Sequence, residues 1–506
     1  MRVLPLRPVA LLLLPLLPAP SVCLSQPSRS GWKPSIESLA DRVALRQREV
    51  RTETIGSLGF HHVEFYCGDA RTTAHHFCAS LGLSVTGTTG QATGNDKCVS
   101  YGLESGSNGE ALRILLTAPY SLATASPASD DPWEGENEDD DAYDAPRPLP
   151  GFDAASAHSF FRTHGLAVRA VGLEVADAGA AFRASVQRGA IPVLEPTVVR
   201  ACRAQRQAKG DGKSQAEGPS REMAEVELYG DVVLRFVGPT GAGGAVAPSG
   251  EMPFLPHLAP TGDGDGNGNP SEGFGIYRID HAVGNVPDLE EAHERIKAFT
   301  GFHEFAEFCP EDVGTVDSGL NSVVLASDSE EVLLPLNEPT EGRRKSQIQT
   351  YLEQNEGAGL QHLALKTRDI FSTIRKMRQS EKDVFGFELM KRPSDEYYRE
   401  LPDRLGDQLT QDQYEQLEEL GILADSDEEG ILLQVFTKPI GDRPTFFFEI
   451  IQRIGCVVSQ QNGSDSEHEA AGRGTPIERP GCGGFGQGNF RELFKSIEDH
   501  EKTLKV

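Results

Sequence analysis

The chain has 506 residues, enough for two or three domains with sizeable cores, and its 38% hydrophobic and 7% aromatic content is that of a globular protein. With 48 basic against 76 acidic side chains and a formal charge of −28, neither nucleic acid nor an anionic membrane surface is expected as a partner. Eight cysteines without a CxxC or any compact spacing indicate neither a disulfide framework nor a structural zinc site, and a reducing compartment is expected.

At the amino terminus, Arg2 and Arg7 precede an apolar run over 9–17 that is too short and too broken by proline to span a bilayer, and small residues follow over 21–25. Residues 1–55 are therefore assigned to a signal-type leader and its lead-in, without stable membrane anchoring. The fold opens with a short strand over 59–69 and a helix over 74–83 that is stopped by glycine. The same plan recurs over 277–302. Aligning Asp69 with Asp288 sets His62 opposite His281, each seven residues ahead of its aspartate. Farther along, 168–177 with its helical sequel mirrors 362–369 with its own. Four strand-helix openings in two pairs identify internal duplication.

Residues 229–237 close the first half as 444–451 close the second. Polar, Gly- or Pro-rich stretches over 123–149, 203–221, 238–275 and 459–480 are expected to be surface loops or linkers with little order, the third being the boundary between the halves. The acidic runs over 130–144 and 425–429 read as solvated loops, and 401–421 as helical outer decoration.

The run Gly-Ala-Gly-Leu-Gln-His-Leu-Ala-Leu over 357–365 carries His362 inside a strand, and Thr-Phe-Phe-Phe-Glu-Ile-Ile over 445–451 sets Glu449 among apolar neighbours. A lone histidine in a strand is ordinarily a hydrogen-bonded core residue. An isolated carboxylate among phenylalanines and isoleucines is different, because it needs a cation or donors. His281, His362 and Glu449, each on its own strand, can supply three adjacent ligands to a ferrous ion and leave three positions for substrate and oxygen. The first half reads as a structural copy without metal. His62 stands at the first ligand position, but Val171 and Gly172 occupy the second and Arg235 lies near the third, and a guanidinium does not ligate a cation.

The segment Gly-Cys-Gly-Gly-Phe-Gly-Gln-Gly-Asn-Phe over 481–490 holds Gly481, Gly483 and Gly486 in GxGxxG spacing, without the preceding strand or following acid of a dinucleotide loop. Asn489 and Glu492 make a capping pair for a helix over 489–504 with Phe490, Leu493, Phe494, Ile497 and Leu504 on its apolar face, hung on the glycines as a lid.

On these residues the chain resembles the 4-hydroxyphenylpyruvate dioxygenases, closely over 279–506 apart from 459–480, and more loosely over 60–70 and 166–190. The segments Gly-Leu-Asn-Ser over 319–322, Leu-Pro-Leu-Asn-Glu-Pro over 334–339 and Leu-Gln-Val-Phe-Thr-Lys-Pro over 433–439 are similar to plant-type members. The resemblance implies an α+β vicinal oxygen chelate fold, in which paired βαβββ modules form half-open barrels. It assigns 1–55 to the leader, 56–237 to a structural N-terminal domain, 238–275 to a linker and 276–506 to a catalytic domain with its lid over 489–504. The activity implied is that of a non-haem Fe(II) dioxygenase converting 4-hydroxyphenylpyruvate and O2 to homogentisate and CO2, with His281, His362 and Glu449 on the iron.

By the same resemblance Ser322, Asn337, Gln347, Gln361 and Gln434 orient the substrate, Phe447 and Phe485 are aromatic walls, and Asn489 and Phe490 begin the closing helix. Gln361, Gln434 and Phe447 count as catalytic, although both glutamines could equally bond neighbouring backbone, and the sequence leaves open which of residues 446–448 faces the iron. A homodimer is implied. The long leader suggests an organelle, a plastid reached through a secretory step, with the cytoplasm as alternative and secretion not expected. Two rival readings stay open: an oxygenase like 4-hydroxymandelate synthase on the same substrate, and a non-catalytic chelate-fold binder with a vestigial metal site.

Overall fold

The computed structural model describes residues 52–105, 110–121, 147–201, 220–240, 254–261, 273–308, 319–342, 344–458, 477–478, 480–490 and 492–497. The first half runs β1 (Ser57–Tyr66), α1 (Ala70–Leu81), β2 (Ser84–Thr89), β3 (Cys98–Ser105), β4 (Leu112–Pro119), α2 (Ala154–His164), β5 (Ala167–Val175), α3 (Ala178–Gln187), β6 (Pro192–Arg200), β7 (Ser220–Tyr229) and β8 (Val232–Pro239). After a short β9 (Ala259–Pro260), the second half repeats it with β10 (Ile276–Asn285), α4 (Leu289–Thr300), β11 (His303–Phe308), β12 (Leu320–Ala326), β13 (Leu333–Pro339), α5 (Gln347–Gln354), β14 (Gly359–Thr367), α6 (Ile370–Val384), α7 (Asp395–Leu405), α8 (Gln411–Leu420), β15 (Leu423–Ser426), β16 (Ile431–Phe436) and β17 (Phe447–Ile454).

The duplication is visible at the level of single hydrogen bonds. Every module-opening strand is followed by an aspartate whose carboxylate accepts a backbone N–H in the first turn of the next helix: Asp69 from Thr72, Asp177 from Ala180, Asp288 from Glu291 and Asp369 from Ser372. The sheets follow one plan. In β6-β7-β8-β5-β1-β4-β3-β2-β9 and β11-β12-β13-β10-β14-β17-β16-β15, the two opening strands pair antiparallel at the centre, and each pairs in parallel with the strand that closes its module. This is the vicinal oxygen chelate arrangement of paired βαβββ modules.

The halves share a core of aromatic rings. Phe65 and Phe77 from the first half meet Phe446 and Phe448 from the second at 5.0 and 5.7 Å between centroids, and Phe387 stacks on Phe448 at 5.6 Å. Among the described residues no helix is long and apolar enough to cross a membrane.

Several sequence expectations change here. Thr54 and Ile55, assigned to the leader, belong to the fold: Thr54 N–H donates to Thr300 O at 3.0 Å and Ile55 is buried. Within the 238–275 linker, residues 254–261 pack on the first half, where Phe254, Leu255 and Leu258 are buried and β9 pairs with β2, an apolar island that average composition conceals. Residues 477–478, within the fourth polar stretch, pair with residues 457–458. Most of the leader (1–51) and the bulk of the polar stretches (122–146, 202–219, 241–253, 262–272 and 459–476) lie outside the described residues. Helices α7 and α8 form as expected but are not mere decoration, since Leu401, Leu405, Leu417 and Leu420 enter the main core. Asp425 is bound rather than solvated, accepting from Arg404 at 3.1 Å and from Gly488 N–H at 2.7 Å. The cysteines are not all unpaired, because Cys456 and Cys482 form a disulfide that no local spacing announces.

Two stability predictions follow from the packing. Phe448→Ala empties the centre of the shared aromatic cluster and is expected to cost about 3–5 kcal/mol, read from denaturant midpoints at unchanged slope. In β11, contacts with His293 and Lys297 at 3.1 and 2.5 Å hold the Glu304 carboxyl down from 4.5 to about 2. A depressed carboxyl stabilises the fold fully above about pH 4.5 and loses that contribution as pH falls towards 2. Glu304→Gln should therefore destabilise by about 1–2 kcal/mol at pH 7, allowing for screening at this partly exposed site, and by clearly less at pH 3.

Candidate metal centre

Strand register brings the three ligand candidates together. His281 on β10 pairs with Ala364 on β14, and Ala364 pairs with Glu449 on β17, so these three residues form one row across the sheet. His362 lies two residues before Ala364 and hence on the same face. The ligand atoms of His281, His362 and Glu449 all fall within 4.8 Å of one another. Glu449 Oε2 is 3.1 Å from His281 Nε2 and 3.5 Å from His362 Nε2, with only 4% of its side chain exposed.

The electrostatics are those of a site that wants a cation. Burial disfavours charge on His281, yet its contacts with Asp280 and Glu449 overcome that and raise it to about 9. Burial would likewise push Glu449 up, but His281 and then His362 outweigh it and hold the carboxyl at about 2. His362 goes the other way, because burial lowers its basicity and Glu449 offsets this only in part. Nδ1 of His281 faces Asp280 Oδ1 and Nδ1 of His362 faces Gln361 Oε1, each at 2.9 Å. With the Nδ1 protons so engaged, both Nε2 atoms are left to face Glu449, and a divalent ion would displace the proton that His281 otherwise holds. The donor set, two imidazoles and one carboxylate in an apolar surround, fits a ferrous or similar divalent ion.

A cavity opens from the triad. Phe447 stacks on His362 with centroids 4.9 Å apart and planes 17° apart, and Phe485 stands edge-on to His281 at 5.2 Å. Strand alternation settles which phenylalanine of residues 446–448 faces inward: Phe447 lines the cavity with Glu449, while Phe446 and Phe448 point into the shared core. Ser322, Asn337, Gln347, Gln361 and Gln434 all line it, on five different elements. Gln361 has its amide oxygen on His362, whereas the buried amide oxygens of Gln347 and Gln434 have no hydrogen-bond partner among the described residues. Two such acceptors in one cavity mark where a ligand's polar groups would bind.

The terminal segment covers the cavity. Residues 492–497 are helical, and Phe490, Leu493, Phe494 and Ile497 line the pocket as the apolar spacing suggests, while Leu504 lies outside the described residues. Gly486 holds left-handed backbone (φ 71°), a conformation that favours glycine, and a Cβ there would press on the Gln434 side-chain amide. Asn489 departs from expectation. It is the last residue of a short 3-10 turn, Gln487–Asn489, and is not among the residues that line the cavity. Instead its Oδ1 accepts from the Tyr397 hydroxyl at 2.7 Å, fixing the lid to α7.

Sequence reading passed over two charged residues behind the triad, Asp280 and Arg453. The available signal was a charge in an otherwise apolar strand, one residue before His281 and four after Glu449. In the first half the same row reads differently. His62 pairs with Gly172 and Gly172 with Arg235, so Arg235 stands where Glu449 stands, and the residue in the place of His362 is Ala170 rather than the expected Val171 or Gly172. Arg235 donates to Glu64 and Glu225 at 2.6 Å and sits 2.9 Å from His62 Nε2, so its guanidinium fills the space that corresponds to the metal site.

Family models give no match to the chain. Among curated proteins, it is 48% identical over 448 residues to 4-hydroxyphenylpyruvate dioxygenase of Plectranthus scutellarioides, covering 88% of this chain and 89% of that one. It is 48% identical to the Daucus carota enzyme of the same name, with 88% of each chain covered, and 47% identical to that of Arabidopsis thaliana, again with 88% of each. Among solved structures, a triple mutant of 4-hydroxymandelate synthase from Streptomyces coelicolor superposes with a TM-score of 0.62 at 20% identity, covering 88% of this chain and 99% of the other, a likeness of fold alone. With close to half of its residues shared across nearly nine-tenths of its length, the chain belongs to the 4-hydroxyphenylpyruvate dioxygenase family.

Proposed function

We propose that the protein is a non-haem Fe(II) dioxygenase that converts 4-hydroxyphenylpyruvate and O2 to homogentisate and CO2. The observation that carries this reading is the convergence of His281, His362 and Glu449 on one point at the base of a covered, largely apolar cavity, in a chain of this family. His281, His362 and Glu449 would hold a ferrous ion there, which would supply the redox chemistry with O2 and an α-keto acid. The substrate's own oxidative decarboxylation provides two electrons, so no second keto acid is needed.

The chain's residues provide the remainder. Phe447 and Phe485 flank the ligand histidines and give the aromatic ring of the substrate flat apolar walls. Gln347 and Gln434 present acceptor oxygens to hydroxyl groups, and Ser322 and Asn337, paired across β12 and β13, add short polar contacts beside them. Gln361 holds the His362 ring in place by accepting from Nδ1. Phe490, Leu493 and Phe494 on the covering segment keep bulk water away from the reacting atoms.

The homodimer and the plastid destination of the leader belong to the same proposal and rest on the family resemblance and on the leader's composition. Light scattering checks the first, and a fluorescent fusion of residues 1–55 that stays diffuse in the cytosol would remove the second. For the activity, homogentisate and CO2 are expected in equal amounts with the O2 consumed. Recovery of 4-hydroxymandelate would favour the synthase-like rival, and no O2 uptake with Fe(II) and keto acid would favour a binding protein. Glu449→Gln keeps the shape but removes the charge, so Fe(II) affinity should fall at least ~100-fold and turnover should vanish, with the circular dichroism spectrum and cooperative melting retained.

A further inference from the structure

Arg453 projects from β17 four residues beyond Glu449 and on the same face. Its side chain is fully buried, and it reaches in two directions. On one side Nε and Nη2 donate to Asp280 Oδ2 and Oδ1 at 3.0 and 2.7 Å, a bidentate grip on the carboxylate whose Oδ1 receives His281 Nδ1. On the other side Nη1 donates to the backbone carbonyls of Cys482 and Gly484 at 2.5 and 2.7 Å. Those carbonyls belong to the glycine-rich hinge of the lid, where Gly483 (φ 80°) and Gly484 (φ 67°) hold left-handed backbone. The next residue is Phe485, whose ring lies edge-on to His281 and 6.0 Å from the Arg453 guanidinium carbon.

We propose that Arg453 is a positioning residue that couples the seating of the lid to the orientation of His281. The proposal rests on the reading of His281, His362 and Glu449 as the metal centre. Moving residues 481–485 away would take two acceptors from Arg453 and withdraw Phe485 from His281 together. Conversely, an ion that fixes His281 fixes Asp280, Arg453 and the hinge behind it, since a coupling between two sites acts in both directions. Lysine cannot replace this device. An ammonium on a flexible stem does not span a carboxylate and two carbonyls at once, whereas the planar guanidinium does. Lys366, with Nζ 4.0 Å from Asp280 Oδ2, leaves that carboxylate some neutralisation when Arg453 is changed, which favours folding of the variant. Cys482 is also tied to Cys456, so the backbone near the hinge stays within reach and Arg453→Lys removes the polar link alone.

The test uses the full chain under non-reducing conditions with Co(II) as probe. Backbone amide exchange over 481–490 is measured with and without the ion and compared with exchange in α2, remote from the site. In the unaltered protein Co(II) should slow hinge exchange about tenfold beyond any change in α2. In Arg453→Lys the ion should still bind, with an altered visible absorption spectrum, while the additional slowing falls below about threefold. Equal slowing in both proteins overturns the proposal, as does Co(II) binding to the unaltered protein without hinge slowing, a measurement that needs no variant. Failure of the unaltered protein to bind Co(II) would remove the metal-centre reading and this coupling with it, so the two failures are told apart.

Discussion

The site depends on strand register. Three side chains from three strands share a point only because β10, β14 and β17 are neighbours whose pairing sets His281, Ala364 and Glu449 in a row. Side chains alternate along a strand, so a slip of one residue in either pairing would turn a ligand into the opposite face. The register is held from behind by packing: Phe448 and Ile450, on the reverse face of β17, and Phe446 just ahead of it lie in the shared core. A bulge refines the geometry. Between Ile279 and His281 the pairing skips a residue, and the unpaired one is Asp280, whose carboxylate is thereby free to reach the His281 ring beside it. The first half has the same irregularity between Phe60 and His62, with His61 as the extra residue and its Nδ1 2.7 Å from His62 Nδ1.

Much of this was legible in the residues. The repeated aspartates that follow the four opening strands are capping residues with a fixed distance to the next helix, so they anchor an alignment that places His62 opposite His281. Glu449 stood out because a charge in an apolar strand demands a partner. The pocket glutamines came from resemblance, since an amide in a strand carries no signature of its own. What stayed hidden depends on contacts remote in sequence. Asn489 looked like a helix cap because its position suits one, yet Tyr397, 92 residues earlier, captures its side chain. The disulfide joins cysteines 26 residues apart, a separation that carries no pairing signal of its own. Residues 254–261 were submerged in glycine and proline on either side, although Phe254, Leu255 and Leu258 carry enough apolar surface to dock.

Electrostatic demand explains why one backbone plan supports two unlike interiors. In the second half Glu449 and Asp280 are buried anions close to His281, answered by Arg453 and Lys366 and, without an ion, by a proton on His281. In the first half Glu64 and Glu225 are buried anions around one guanidinium, that of Arg235, and the histidine beside it is held well below its ordinary value by burial and by that same guanidinium. Both interiors thus contain buried carboxylates with a positive charge among them. Where arginine supplies that charge the site is filled by its own side chain and cannot exchange it. With glutamate at the corresponding position that charge is a proton on His281 or would be a bound cation, and a cation would bring open coordination positions that a guanidinium does not have.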